Sequence, residues 1–258
     1  MNEVSTSNLT QDDIIDLGDW LLQPAGSYIC AWEQAQFDLL TADIFGFHAL
    51  QIGLPQLPAL NASRMPHKWQ TASQFPLANA MLPQQVVLVH DFAELPFDSQ
   101  SIDLIVLPHV LEFAKEPHQI LREVDRILIP EGRLIISGLN RSSLWGARQL
   151  IGRLAHRPFL PEEGEFISAN RLKDWLKLLS MEVDQTRFGC YAMPVDNSQW
   201  LENSQWVDKF GQRWWPRLGA VYMIEAIKRV RGMHLVGPAV KKKRLPQTNV
   251  VPVANKIK

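Results

Sequence analysis

The chain of 258 residues is 46% hydrophobic and carries 26 basic against 27 acidic side chains, a formal net charge of −1. That is enough apolar material for a full buried core, while apolar stretches such as Leu104–Val110 are far shorter than the roughly 20 residues a membrane-spanning helix needs. The polar start Met1-Asn2-Glu3-Val4-Ser5 lacks a charged-then-apolar leader pattern, so a cytoplasmic location is expected.

In chain order, residues 1–12 are polar and expected to be disordered. Tyr28–Phe45 sets Ile29, Trp32, Phe37, Leu39, Leu40 and Ile44 among polar residues, a helical pattern suited to covering a sheet. His48–Gly53 is short, apolar and ends at glycine, as a buried first strand does. Pro55, Pro58, Pro66, Pro76 and Pro83 interrupt residues 54–85, so any helix after that strand is delayed or irregular; one strand is expected around Lys68–Ala72. Gln85–His90 and Asp103–Leu107 are expected as strands apolar enough to lie inside a parallel sheet covered on both faces, joined by the turn-rich loop Asp91–Ser101.

Residues 116–129 place Ile120, Leu121, Val124, Ile127 and Leu128 at helical spacing, with Pro130-Glu131-Gly132 as the stop and Arg133–Ser137 as the next strand, the order of a right-handed crossover. Ser168–Leu179 is expected as a helix opened by a Ser or Asn cap, Glu182–Phe188 as a strand, and Val221–Ile227 as the last strand. The stretch 197–215 holds Trp200, Trp206, Trp214 and Trp215, with Trp200, Val207, Phe210 and Trp214 on one side of a helical wheel. After Glu225 come nine basic residues and no acidic one, including the run Lys241–Arg244, which leaves 17 basic against 27 acidic residues in the rest of the chain.

Four motifs follow one another at family-like spacing: Asp91-Phe92-Ala93-Glu94-Leu95-Pro96-Phe97, Ser101-Ile102-Asp103-Leu104-Ile105, Leu111-Glu112, and Leu121 through Gly132. In order and spacing they resemble the class I S-adenosylmethionine-dependent methyltransferases, type 11 group, over roughly residues 45–140. The resemblance implies an α/β, Rossmann-like seven-stranded sheet with a reversed last strand and helices on both faces, with S-adenosylmethionine at the carboxyl ends of the strands. By position it makes Gln51, Gly53, Asp91, Phe92 and Pro108 the cofactor-binding residues, Asp91 accepting from the adenine amino group with Phe92 beside the ring. His109, directly after the fourth strand, is the candidate general base, since an imidazole titrates near neutral pH. Methyl transfer from an activated sulfonium needs positioning more than a base.

Two features depart from that pattern. Gln51 stands where an acid ordinarily ends the first strand, and Pro55 and Leu57 replace glycines in the loop after it. No Asp or Glu occurs from Asn61 through Gln74, where an acid ordinarily binds the ribose. Each lost hydrogen bond to a charged group weakens binding by about 1.5–3 kcal/mol. The expected function is methyl transfer to an unidentified acceptor, and the competing one is a non-catalytic binding or scaffold protein with weak or lost cofactor affinity.

The expected organisation is a methyltransferase-like domain over residues 13–240, with a Trp-rich insertion at 197–215, and a basic tail at 241–258. The tryptophans either pack that insertion onto the core or, exposed beside Lys241–Arg244, suit a membrane surface, a lipid-like or small-molecule acceptor, or single-stranded RNA. Cys30 and Cys190, far apart and in apolar surroundings, are expected as buried free thiols. No His or Cys cluster has metal-ligand spacing, so no metal is expected, and no G-x-G-x-x-G follows the first strand to suggest a dinucleotide.

Overall fold

Whether successive residues are buried on both sides separates the strands from the helices in this chain. The computed structural model describes residues 17, 20–72, 85–88, 92–154, 164–194 and 205–229. Seven strands form one sheet: β1 (His48–Gln51), β2 (His67–Ala72), β3 (Gln85–Leu88), β4 (Ile102–Pro108), β5 (Leu128–Leu139), β6 (Met181–Gly189) and β7 (Val221–Lys228), in the order β3-β2-β1-β4-β5-β7-β6. Pairing is parallel from β3 through β5, and β7 runs antiparallel between β5 and β6. The reversed last strand is therefore present, inserted between its neighbours rather than added at the edge. Along β4, Leu104, Ile105, Val106 and Leu107 are all buried; since alternate side chains point to opposite faces, both faces of the sheet centre are covered.

Six helices lie among the described residues: α1 (Pro24–Thr41), α2 (Val110–Phe113), α3 (Pro117–Ile127), α4 (Leu144–Leu154), α5 (Ala169–Leu178) and α6 (Gln205–Trp214). Helix α1 starts four residues before the expected Tyr28 because Pro24, with its fixed φ and no N–H to waste, opens the first turn. It buries Ile29, Glu33, Phe37 and Leu40 on one stripe and ends at Thr41, which leaves Phe45 outside it and exposed. Helix α3 buries Ile120, Leu121, Val124 and Ile127, as the spacing predicts. Ser168 caps α5, its hydroxyl accepting from the Arg171 N–H at 3.3 Å.

Two expectations are corrected in detail. The segment Pro130–Gly132 is not simply a helix stop; it lies within β5, where Glu131 takes φ +63° and the pairing shifts register opposite Ile102–Leu104, as a bulge does. Helix α4 was not foreseen, because its apolar residues Leu144, Leu150 and Ile151 point to solvent while Trp145 and Gln149 are buried. Residues 1–12, His90, Asp91, Trp200 and the basic run Lys241–Arg244 lie outside the described residues.

Candidate functional site

Strands β1 and β4 lie side by side, with Gln51 paired to Val106 and the Ile52 N–H donating to the Val106 carbonyl at 2.9 Å. The chain then leaves β1 through two left-handed residues, Gly53 at φ +71° and Leu54 at φ +43°. A Cβ on Gly53 would stand 3.0 Å from Val110 Cγ2 and 3.8 Å from the Phe92 ring, so the absence of a side chain is what lets these groups converge.

Gln51 holds the loop closed. Its Nε2 donates to the carbonyls of Leu57 at 2.7 Å and Leu54 at 3.0 Å, with the Gly53 carbonyl at 3.4 Å, and its Oε1 accepts from the Ala59 N–H at 3.0 Å. A carboxylate has nothing to donate and would face these oxygens with like polarity. The glutamine where an acid was expected is therefore the residue this loop requires. Leu54, Leu57, Ala59 and Leu60 are buried and turn the loop into an apolar plug, which explains why proline and leucine are tolerated where glycines are usual. At the end of β2 the Thr71 hydroxyl accepts from the Gly53 N–H at 2.8 Å, and the preceding Gln70, buried on the same strand, keeps an Nε2 with no partner among the described residues.

His109 follows Pro108 in the left-handed region at φ +54° and starts α2. Its Nδ1 lies 2.9 Å from Glu112 Oε2, and its Nε2 makes an ion-pair contact of 2.9 Å with Glu33 Oε1 on α1. All three groups are buried, the His109 side chain at 1% exposure. Burial opposes charging the ring, but the two carboxylates outweigh it and push the imidazole up to about 10. Burial also raises the Glu112 carboxyl, against the opposing pull of His109, and Glu112 Oε1 takes the Leu139 N–H. His109, expected as a general base, sits here with both ring nitrogens against carboxylates and forms a charged tie between α1 and the β4–α2 turn.

The structure thus brings together Gln51, Gly53, Phe92 and the Pro108–His109 turn at the ends of β1 and β4, while Asp91 lies outside the described residues. Glu33, Gln70 and Thr71 were missed. Glu33 carried a usable signal, since it falls four residues from Ile29 and from Phe37 on an otherwise apolar stripe. A cavity of about 310 Å³ lies elsewhere, lined by Trp32, Gln36, Arg187, Phe188, Tyr191 and Pro216. The thiols of Cys30, half-buried, and Cys190, buried, are unbridged, and burial pushes both up. Among the described residues no His, Cys, Asp and Glu group could hold a metal, and no helix is long and apolar enough to cross a membrane.

Residues 70–136 match the family model described as a methyltransferase domain, which begins beyond the Gln51–Leu57 loop. The chain is 37% identical over 141 residues to the uncharacterized protein YafS of Escherichia coli, covering 54% of this chain and 55% of that one. It is 27% identical over 96 residues to an uncharacterized protein of Methanocaldococcus jannaschii, covering 37% and 46%. The chain thus spans about half the length of these curated relatives.

Among solved structures, an S-adenosylmethionine-dependent methyltransferase from Thermotoga maritima superposes with a TM-score of 0.61 at 16% identity, over 86% of this chain and 99% of that one. A Haloferax volcanii methyltransferase solved with the Trm112 activator gives 0.58 at 14% identity, over 87% and 100%. One from Archaeoglobus fulgidus gives 0.55 at 16%, over 77% and 94%. The chain therefore has the fold of these methyltransferase structures, and its residues 70–136 carry the methyltransferase domain match.

Proposed function

We propose that the protein is an S-adenosylmethionine-dependent methyltransferase acting on an acceptor still to be identified. The observation that carries this reading is the convergence of Gly53, at positive φ and without a side chain, with Phe92 and Val110 at the carboxyl ends of β1 and β4, the position at which open α/β sheets bind ligands. The donor set fits such a ligand in kind. The Gly53 carbonyl, which takes Gln51 Nε2 at 3.4 Å, keeps a second lone pair for an ammonium, whereas those of Leu54 and Leu57 already accept a second bond, from the Leu57 and Ala59 N–H groups. The unpartnered Gln70 Nε2 is a donor suited to a sugar hydroxyl. When bound, the cofactor supplies an electrophilic methyl group on a sulfonium.

The chain's own residues then bind and orient. Gly53 permits close approach of a ligand to the backbone, Phe92 offers a ring face, and Asp91, by its place in the motif, accepts from the adenine amino group. Pro108 and His109 fix the turn after β4, with His109 held by Glu33 and Glu112 rather than free to move a proton. Catalysis on this reading is positional. Because Gln51, Leu54 and Phe92 are buried, loop 53–59 has to move outward to admit the ligand, which lowers affinity by the cost of opening.

The four contacts of Gln51 with its own loop favour a second reading, a binding or scaffold protein that keeps the sheet without useful cofactor affinity. Calorimetric titration with S-adenosylmethionine and its demethylated product separates the two. Micromolar binding that disappears in Asp91→Ala supports the enzyme; no binding at millimolar cofactor sinks it and leaves the scaffold.

A further inference from the structure

The outer face of α6 exposes an aromatic stripe flanked by basic residues. Trp206, Phe210 and Trp214, four residues apart, form one exposed stripe at 63%, 58% and 66% exposure, and Trp215 and Leu218 extend it. Lys209 and Arg213, three residues after Trp206 and Phe210, run alongside it on the exposed side. The opposite face is fastened to the domain. Gly211 packs so closely on Tyr191 that a Cβ would come within 2.3 Å of its ring, and Asp208 Oδ1 accepts from the Tyr28 hydroxyl at 2.5 Å and the Tyr191 N–H at 2.8 Å. The one acid of the helix is therefore spent inward, and no other acidic residue occurs from Lys209 to Ile224.

A second exposed apolar face is tethered to the same hub. Helix α4 turns Leu144, Leu150 and Ile151 to solvent, while its Trp145 donates to the Ala192 carbonyl at 2.8 Å and stacks on Tyr28. Asn140, just before α4, holds the Arg217 and Gly219 carbonyls at 2.9 Å each. From Arg141 to Pro161 the sequence again holds basic residues and no acid.

We propose that the α6 aromatic stripe, together with the outer face of α4, docks the protein onto an anionic lipid bilayer surface. Tryptophan and phenylalanine on a helix flanked by lysine and arginine match the boundary between headgroups and acyl chains. The aliphatic members Leu144, Ile151 and Leu218 enter acyl chains but give nucleic-acid bases nothing to stack on. A second copy of the chain is disfavoured by charge, since Lys209, Arg213 and Arg217 would face their own counterparts. The proposal does not depend on cofactor binding.

The test is co-sedimentation of the full chain with phosphatidylcholine vesicles, with and without one third phosphatidylglycerol, at low and high salt. The expected result is binding to the anionic vesicles that falls with salt, at least about tenfold weaker when Trp206, Phe210 and Trp214 are all changed to Ala, and retained when Lys241–Arg244 are changed to Ala. The three aromatics are exposed, so the triple variant keeps the fold, checked by circular dichroism. Any of four results overturns the proposal: no binding to anionic vesicles at low salt; binding unaffected by the triple variant; release of vesicles by a single-stranded RNA oligomer that itself binds the stripe; or self-association by sedimentation velocity that the triple variant abolishes.

Discussion

Glu33 Oε1 lies 2.9 Å from His109 Nε2, fully buried, so the helix covering the sheet is tied by charge to the turn that follows the central strand. Glu112 completes the arrangement on the other ring nitrogen. Two carboxylates sharing one imidazole away from water are costly to assemble and costly to disrupt.

The pH dependence of stability follows from that triad. A free imidazole titrates near 6.5, whereas burial and the two carboxylates set the folded value to about 10. The group is raised, so its contribution is complete below the free value and is lost as pH rises through the folded one. The melting temperature of the wild type should fall between pH 7 and pH 10, and His109→Gln should melt lower with a flatter profile. Glu33→Ala should cost about 3–5 kcal/mol, the range for breaking one side of a buried pair. A parallel pH profile in wild type and His109→Gln, by calorimetric melting, would count against the charged tie.

Gln51→Glu tests whether the loop needs an amide. The carboxylate loses the donors to Leu54 and Leu57 while keeping the acceptor for Ala59. The Leu54 and Leu57 carbonyls keep their backbone donors, so the expected loss of about 1–3 kcal/mol comes from a buried carboxylate facing carbonyls it cannot donate to, which for a domain of this size lowers the melting temperature by about 2–4 °C per kcal/mol. An unchanged or higher melting temperature would mean that the loop readily accepts the acid usual at this place.

At Gly53 the backbone itself is under test. Gly53→Ala forces a side chain into φ +71° and brings its Cβ to 3.0 Å from Val110, a strain of about 1–2 kcal/mol. Cofactor titration of this variant should show weaker binding than the wild type, while its circular dichroism spectrum stays native. Equal affinity in the two proteins would remove Gly53 from the site.

Asn140→Ala should loosen the turn before β7. Its side chain serves two backbone carbonyls, those of Arg217 and Gly219, and Ala leaves both without that donor, at about 1–3 kcal/mol. Amide hydrogen exchange should rise locally at Gly219 and Ala220, ahead of the rest of the sheet. Uniform exchange across the domain would indicate that Asn140 supports the core as a whole instead.

What the sequence by itself determined was the sheet. The run Leu104–Leu107 is apolar on every residue and Val221–Ile227 on all but Glu225, which burial on two faces accommodates, so strands β4 and β7, together with helix α3 from its 3.6-residue spacing, were legible in the sequence. The pattern also exposed the altered loop after β1, though not what the alteration does. Tertiary structure alone decided that Gln51 clasps its own loop, because its partners Leu54, Leu57 and Ala59 are fixed by a plug of buried leucines rather than by a periodic pattern.

It likewise decided that His109 is held rather than free, since Glu33 comes from a helix distant in sequence and meets the ring only once α1 packs on the sheet. The tryptophans of α6 make the same point from the outside. Composition allowed either packing onto the core or exposure, and the choice fell to Gly211 and Asp208, whose contacts with Tyr191 and Tyr28 fix which face of the helix turns inward. Periodicity records how many residues are apolar and how they are spaced; which surface they meet is set by contacts between segments far apart in the chain.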